Sequence, residues 1–246
     1  MAGVVLFLIT SAVIIYPIRS RAYPKHNRPL ELADAFASGI FLGAGLFHML
    51  PDAIKSFANV YTNSRVPIAE FLCAGGFLLL LFLERLSDFF AAAHKKAQTL
   101  SYMLIFILVI HALIEGTVLG VNNTLTAASV IFIAILAHKS SESFALAVSL
   151  NRSHIKLSHI IFIIILFSLM TPLGIMLGTT FSTVMQSNRS QFITAGFNAF
   201  AAGTFLYMST LHHVNHHHSE HDKENLFEFV ALFAGLVVMG VLGIWS

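Results

Sequence analysis

The sequence predicts an all-α, polytopic membrane protein with eight transmembrane helices. Three observations carry that prediction. Of the 246 residues, 57% are hydrophobic and only 11% are charged, whereas a soluble domain holds about a quarter of its residues as Asp, Glu, Lys or Arg. The apolar residues fall into runs of about the 17–25 needed to cross a bilayer as helix. The runs follow one another with little between them, so residues 1–246 read as a single membrane domain with no separate soluble part.

The spans are expected at 2–18, 32–57, 66–90, 100–120, 125–150, 157–181, 191–213 and 227–245. The first is apolar from its start and has no basic leader, so it reads as a span and not as a cleaved signal. Only the stretches 19–31 and 214–226 are long connections. The lone cysteine, Cys73, lies within the third span, which excludes an intramolecular disulfide and a thiolate metal cluster. Nothing in the pattern points to nucleic acid.

Charge then orients the chain. With the N-terminus outside, the connections after spans 1, 3, 5 and 7 hold Arg19, Arg21, Lys25, Arg28, Arg85, Lys95, Lys96, Arg152, Lys156 and Lys223. The opposite connections hold Lys55, Arg65 and Arg189. That is a positive-inside bias, and an even number of spans returns the C-terminus to the outside. A plasma or inner membrane fits this arrangement.

Several ionisable groups lie where a membrane disfavours them. Span 4 contains His111 and Glu115, and span 5 contains His138, Lys139 and Glu142. Each charge near a helix centre costs about 2.5–3.5 kcal/mol on insertion scales, so such residues mark a functional pathway by default. A purely structural ion-pair network with packing histidines is the alternative. Spacing favours the pathway. Residues four apart share a helix face, so His111 pairs with Glu115 and His138 with Glu142, each pair about 6 Å apart along its axis. The connection between these spans is short, which makes them antiparallel neighbours. Reversal of direction sets His111 level with Glu142, and Glu115 level with His138. Two imidazole nitrogens and two carboxylates can then close on one divalent ion, a donor set suited to zinc and other first-row metals.

At these residues the chain resembles the ZIP (Zrt/Irt-like) family of divalent metal transporters. His111 to Gly116 is similar to that family's fourth-helix motif, and His138-Lys139 begins a stretch similar to its fifth-helix motif, as in one of its branches. Gly39-Ile-Phe-Leu-Gly-Ala-Gly-Leu-Phe-His48-Met-Leu-Pro51-Asp52-Ala53 resembles its second helix, and Ala202-Gly-Thr-Phe-Leu-Tyr207 its seventh. The resemblance implies eight spans in a 3+2+3 inverted arrangement. It also implies transport of a divalent cation toward the cytoplasm, zinc first, with Fe2+, Mn2+ and Cd2+ as alternatives. There are departures. Ala112 stands where the family often has Asn, and Lys139 where many members have an acid. Those positions hold a second metal in two-metal members, so one ion is expected here, with Lys139 balancing charge beside it. The His-rich loop common between spans 3 and 4 is reduced to 91–99.

Two further groups qualify as sites. His48 and Asp52, again four apart, read as an outer-gate site feeding the central one. His212, His213, His216, His217, His218 and His221 crowd the end of span 7 and the following loop, where they could receive metal leaving the pore. Glu70, Glu84 and Glu228 lie near span ends, where interfacial placement explains them. Gly39-x3-Gly43 and Gly174-x3-Gly178 are close-packing faces, of which a homodimer is one use. The rival function is a membrane-embedded zinc hydrolase. That needs three protein ligands, an open position and a base. Two His/Glu pairs already supply four ligands, and no further acid lies deep in a span.

Overall fold

In hydrocarbon a helix satisfies its own backbone polar groups, and the long apolar runs of this chain fold accordingly. The computed structural model describes residues 2–20, 28–60, 66–90, 93–121, 125–152, 155–181, 188–214 and 222–243. They form eight helical rods, and no strand occurs among the described residues. We label them α1 (Ala2–Ser20), α2 (28–60), α3 (Ile68–Phe90), α4 (Ala93–Val121), α5 (Leu125–Arg152), α6 (Leu157–Thr180), α7 (Asn188–Val214) and α8 (Asp222–Leu242). Among them Glu31–Asn59, Tyr102–Val121 and Leu157–Thr180 are long and apolar enough to cross a membrane. Ala2–Ile14 and Leu226–Leu242 are shorter apolar helices.

Three helices, α2, α4 and α8, begin four to seven residues before the expected position. The connection read at 91–99 is mostly helix, because α4 begins at Ala93 and has 29 residues. Alanine, lysine and glutamine are good helix formers, and a polar first turn need not enter the bilayer. The second helix begins at Arg28 and is not uniform. Arg28–Gly43 is α-helical, Ala44–Met49 is a π turn, and Leu50–Val60 is α-helical again. The π register shows in the Leu50 N–H, which bonds to the Gly45 carbonyl, five residues back. Pro51 follows at once. With no N–H of its own, it removes the donor that would serve the fourth carbonyl behind it, which favours a local change of register.

Helices pair closely where glycine removes side chains. The α4 face carrying Gly116 and Gly120 meets the α6 face carrying Gly174 and Gly178. A methyl group on Gly174 would collide with the Leu113 carbonyl oxygen. Gly39 and Gly43 lie against Leu232, Leu236 and Met239 of α8. Both small-x3-small faces are therefore occupied within one chain. Helix α3 packs on α7, α1 on α5 and α6, and α2 also touches α5 and α7. A continuous core joins these contacts, centred on residues such as Phe167, Phe205, Leu108 and Leu146. Phe82, Phe162 and Phe229 point outward among other exposed apolar side chains, the composition expected of a lipid-facing surface.

The glycine contact gives a stability prediction. Gly174→Val forces branched bulk between α4 and α6. Overpacking of this kind costs about 1–3 kcal/mol, or a Tm lower by about 2–12 °C for a chain of this size. An unchanged Tm in detergent would show that the two helices separate freely.

Candidate metal centre

The site forms where the π turn of α2, the middle of α4 and the middle of α5 converge. On α4, His111 and Glu115 are one turn apart, and His111 Nε2 lies 3.0 Å from Glu115 Oε1. From α5, Glu142 Oε1 comes within 3.5 Å of the same nitrogen. From α2, His48 Nε2 lies 3.9 Å from Glu115 Oε1. One donor atom from each of His48, His111 and Glu115 falls within 4.8 Å of the others, a grouping able to hold a metal ion. The histidine rings meet edge to face, centroids 6.1 Å apart. The His111 ring also faces Phe205, which stacks edge-on against Phe41.

Lys139 occupies the other side of both carboxylates. Its Nζ donates a hydrogen bond to Glu115 Oε2 at 2.9 Å and lies 3.7 Å from Glu142 Oε2. Each carboxylate is thus divided, with Oε1 toward the imidazoles and Oε2 toward the ammonium. The ammonium also sits 4.6 Å from the ring centroid of Phe167 on α6, within cation–π range. Lys139 is 1% exposed and Glu142 is fully buried.

These groups are not satisfied as a polar network alone. Both ring nitrogens of His111 and both oxygens of Glu142 are buried with no well-directed hydrogen bond. Buried polar atoms of this kind are costly unless paired. A cation bound by the Oε1 atoms and the imidazole Nε2 atoms would pair two of these four, His111 Nε2 and Glu142 Oε1.

His111, Glu115, Glu142 and Lys139 are therefore brought together. The backbone of His138 lies on α5, but its side chain falls outside the described set. His48 is the addition. It was expected in a separate outer site near the end of its helix. In the structure α2 continues to Val60, and His48 joins the central group. A signal was present in the sequence, because His48 and Asp52 repeat the His-x3-acid spacing of the other two helices. Asp52 Oδ2 lies 3.3 Å from His48 Nδ1. The side chains of His212 and His213 are outside the described set, and His216, His217, His218 and His221 are outside the described residues. Glu70 is exposed, whereas Glu84 and Glu228 are buried within the protein, 5% and 9% exposed. Glu84 accepts a hydrogen bond from Tyr207 across α3 and α7.

The family described as ZIP Zinc transporter matches residues 1–99 and 91–243, nearly the whole chain. The chain belongs to the ZIP zinc transporter family. Zinc transporter ZIP1 of Takifugu rubripes is 30% identical over 263 residues, covering 88% of this chain and 85% of that protein. Zinc transporter ZIP1 of Homo sapiens is 24% identical over 286 residues, covering 97% and 88%. Zinc transporter 1 of Oryza sativa is 25% identical over 296 residues, covering 99% and 82%. The fold agrees with the family, an all-α multi-pass membrane protein. The family and these relatives are transporters and not enzymes, so the hydrolase alternative has no support.

Proposed function

We propose that this chain carries divalent cations, zinc first, across a membrane through the site formed by His48, His111, Glu115 and Glu142. The observation that supports this most directly is the convergence of two imidazoles and two carboxylates from three helices, His48 half-buried and the other three buried. Two nitrogens and two oxygens match the usual four-coordinate preference of zinc. Two carboxylates offset the double charge of the ion in a low-dielectric setting. His138, one turn before Glu142, remains a further donor, useful when an ion changes partners while entering or leaving. Fe2+, Mn2+ and Cd2+ suit the same donors less selectively.

Both termini lie outside the cytoplasm in this reading, and the ion moves inward across a plasma or inner membrane. The donors named all belong to one chain, and the glycine faces that suggested a homodimer are occupied within it. The protomer is therefore the transport unit. Lys139 holds the second position beside the carboxylates, so one ion is carried at a time. The histidines at 212–221 collect ions leaving the pore but are not required for passage.

The test is zinc flux into proteoliposomes containing the purified protein. Saturable uptake, with Cd2+, Fe2+ and Mn2+ as graded competitors, is expected. Protein that binds zinc but gives no flux in sealed vesicles would overturn the transport reading. Changing His216, His217, His218 and His221 together to Ser is expected to preserve most of the uptake. Complete loss in a correctly inserted protein would place those histidines on the obligatory path.

A further inference from the structure

Asp52 belongs to the neighbourhood of the site but faces the wrong nitrogen to share its ion. Its Oδ2 lies 3.3 Å from Nδ1 of His48, while Nε2 of the same ring is turned toward Glu115. A neutral imidazole that ligates through one nitrogen carries its proton on the other. The group that accepts that proton's hydrogen bond fixes both the tautomer and the ring plane. The remaining oxygen, Oδ1, is 3.8 Å from Nζ of Lys55, so the two oxygens have separate partners. Lys55 is largely exposed, and its contact adds little energy.

The two histidines of the centre differ in this respect. His111 is almost fully buried, and its ring is boxed between Phe205 and the His48 ring. Among the described residues its Nδ1 has no hydrogen-bond partner, and His48 Nδ1 differs from it in having the Asp52 carboxylate at 3.3 Å, within ion-pair distance but not aligned as a hydrogen bond. His48 is more open, with its side chain 12% exposed, and it projects from a π turn and not from a regular helix. Packing therefore orients His111, whereas His48 has a carboxylate placed one turn further along α2.

We propose that Asp52 is a positioning residue that holds the His48 ring through Nδ1, presents Nε2 to the cation and does not bind the ion itself. The inference rests on His48 being a ligand, as argued above. It replaces the reading of His48 and Asp52 as a joint outer gate, in which Asp52 would hold the ion directly.

The experiment is a double-mutant cycle on the full-length purified protein. Cd2+ binding is titrated in detergent, and zinc KM and Vmax are measured in proteoliposomes. The variants are Asp52→Ala, Asp52→Asn, His48→Ala and the double His48→Ala, Asp52→Ala. Loss of an orienting partner of a metal ligand costs about 10–100-fold in affinity, so Asp52→Ala is expected to raise Kd and KM by at least about tenfold with little change in Vmax. Asp52→Asn recovers most of this, because its amide oxygen still accepts from Nδ1–H. In the His48→Ala background Asp52→Ala has no further effect, since the ring it orients is gone. An equal cost of Asp52→Ala in both backgrounds would show that Asp52 meets the ion, and would overturn the proposal. So would an Asn variant as weak as Ala, or an Ala variant with unchanged affinity. His48→Ala binding Cd2+ at full strength would overturn the ligand reading itself, and that outcome is visible in the single variant. The Tm of each ion-free protein checks folding, and the near-isosteric Asn variant keeps the proposal open to refutation if Asp52→Ala is unstable.

Discussion

Glu115→Gln reduces zinc affinity by about 100-fold or more, and uptake falls to background at micromolar zinc. Changes in outer-shell partners already cost about 10–100-fold, and Glu115 stands closer than that. It touches His48, His111 and Lys139 at once, so its loss affects both sides of the centre. Glutamine is the informative replacement. Alanine would leave Lys139 buried with Glu142 at 3.7 Å as its remaining carboxylate, and breaking a buried pair costs about 3–5 kcal/mol. A collapse of Glu115→Ala would then report on stability and not on binding. Glu142→Gln and His111→Ala should show the same loss of uptake with normal membrane insertion. Wild-type uptake by Glu115→Gln or Glu142→Gln would remove the carboxylates from the pathway.

The second large effect concerns Lys139, and its sign is opposite. Lys139→Met should bind zinc more tightly and release it more slowly. The ammonium competes with the ion for the two carboxylates, taking Oε2 of each. It also repels the ion. A unit charge and a double charge about 5 Å apart, at an effective dielectric of about 20, repel by about 7 kcal/mol before the carboxylates are counted. A residue of only about 1.4 kcal/mol is a factor of ten. The expected result is a KM at least about tenfold lower, with Vmax reduced because the ion leaves a deeper well. Lys139→Asp goes further, opening the second position so that a protein with His216, His217, His218 and His221 changed to Ser binds two ions at the centre and not one. Two ions at the centre of the unmutated protein, or a KM unchanged in both variants, would remove Lys139 from this role.

Much of the fold was legible because its physics is local. A run of apolar residues long enough to cross hydrocarbon has one economical conformation, and all eight rods appear where expected, although α4 and α8 begin five to seven residues early in their polar first turns. The His111–Glu115 pair was equally legible, since residues four apart share a face in any helix. Its approach to Glu142 followed from a short connection and antiparallel direction. The position of His48 was not legible in that way. It depends on the π turn at Ala44–Met49, a shift in hydrogen-bond register that residue spacing does not encode, and on packing between distant helices. Phe167 was unreadable for a related reason. Its place over Lys139 comes from the glycine contact of α4 with α6, which sets a third helix beside the site. The burial of Glu84 was not legible either, because proximity to the end of an apolar run says nothing about which face the residue occupies. Here Tyr207, 123 positions away, covers it.

The length of α4 has a consequence for how the protein sits in lipid. Twenty-nine residues of helix rise about 44 Å, at 1.5 Å each. Its apolar part, Tyr102–Val121, has 20 residues and rises about 30 Å, the thickness of a typical hydrocarbon core. The helix therefore needs no tilt to match that thickness, and its first two turns and more extend beyond it as a stalk. Lys95 and Lys96 belong to this stalk, and cationic residues just beyond an apolar segment are the kind that anchor a helix against vertical displacement. A thicker bilayer would draw the polar stalk toward hydrocarbon, and a thinner one would make the apolar segment lean. With α6 locked to it by glycine, α4 could not respond alone, so membrane thickness would be felt at Glu115.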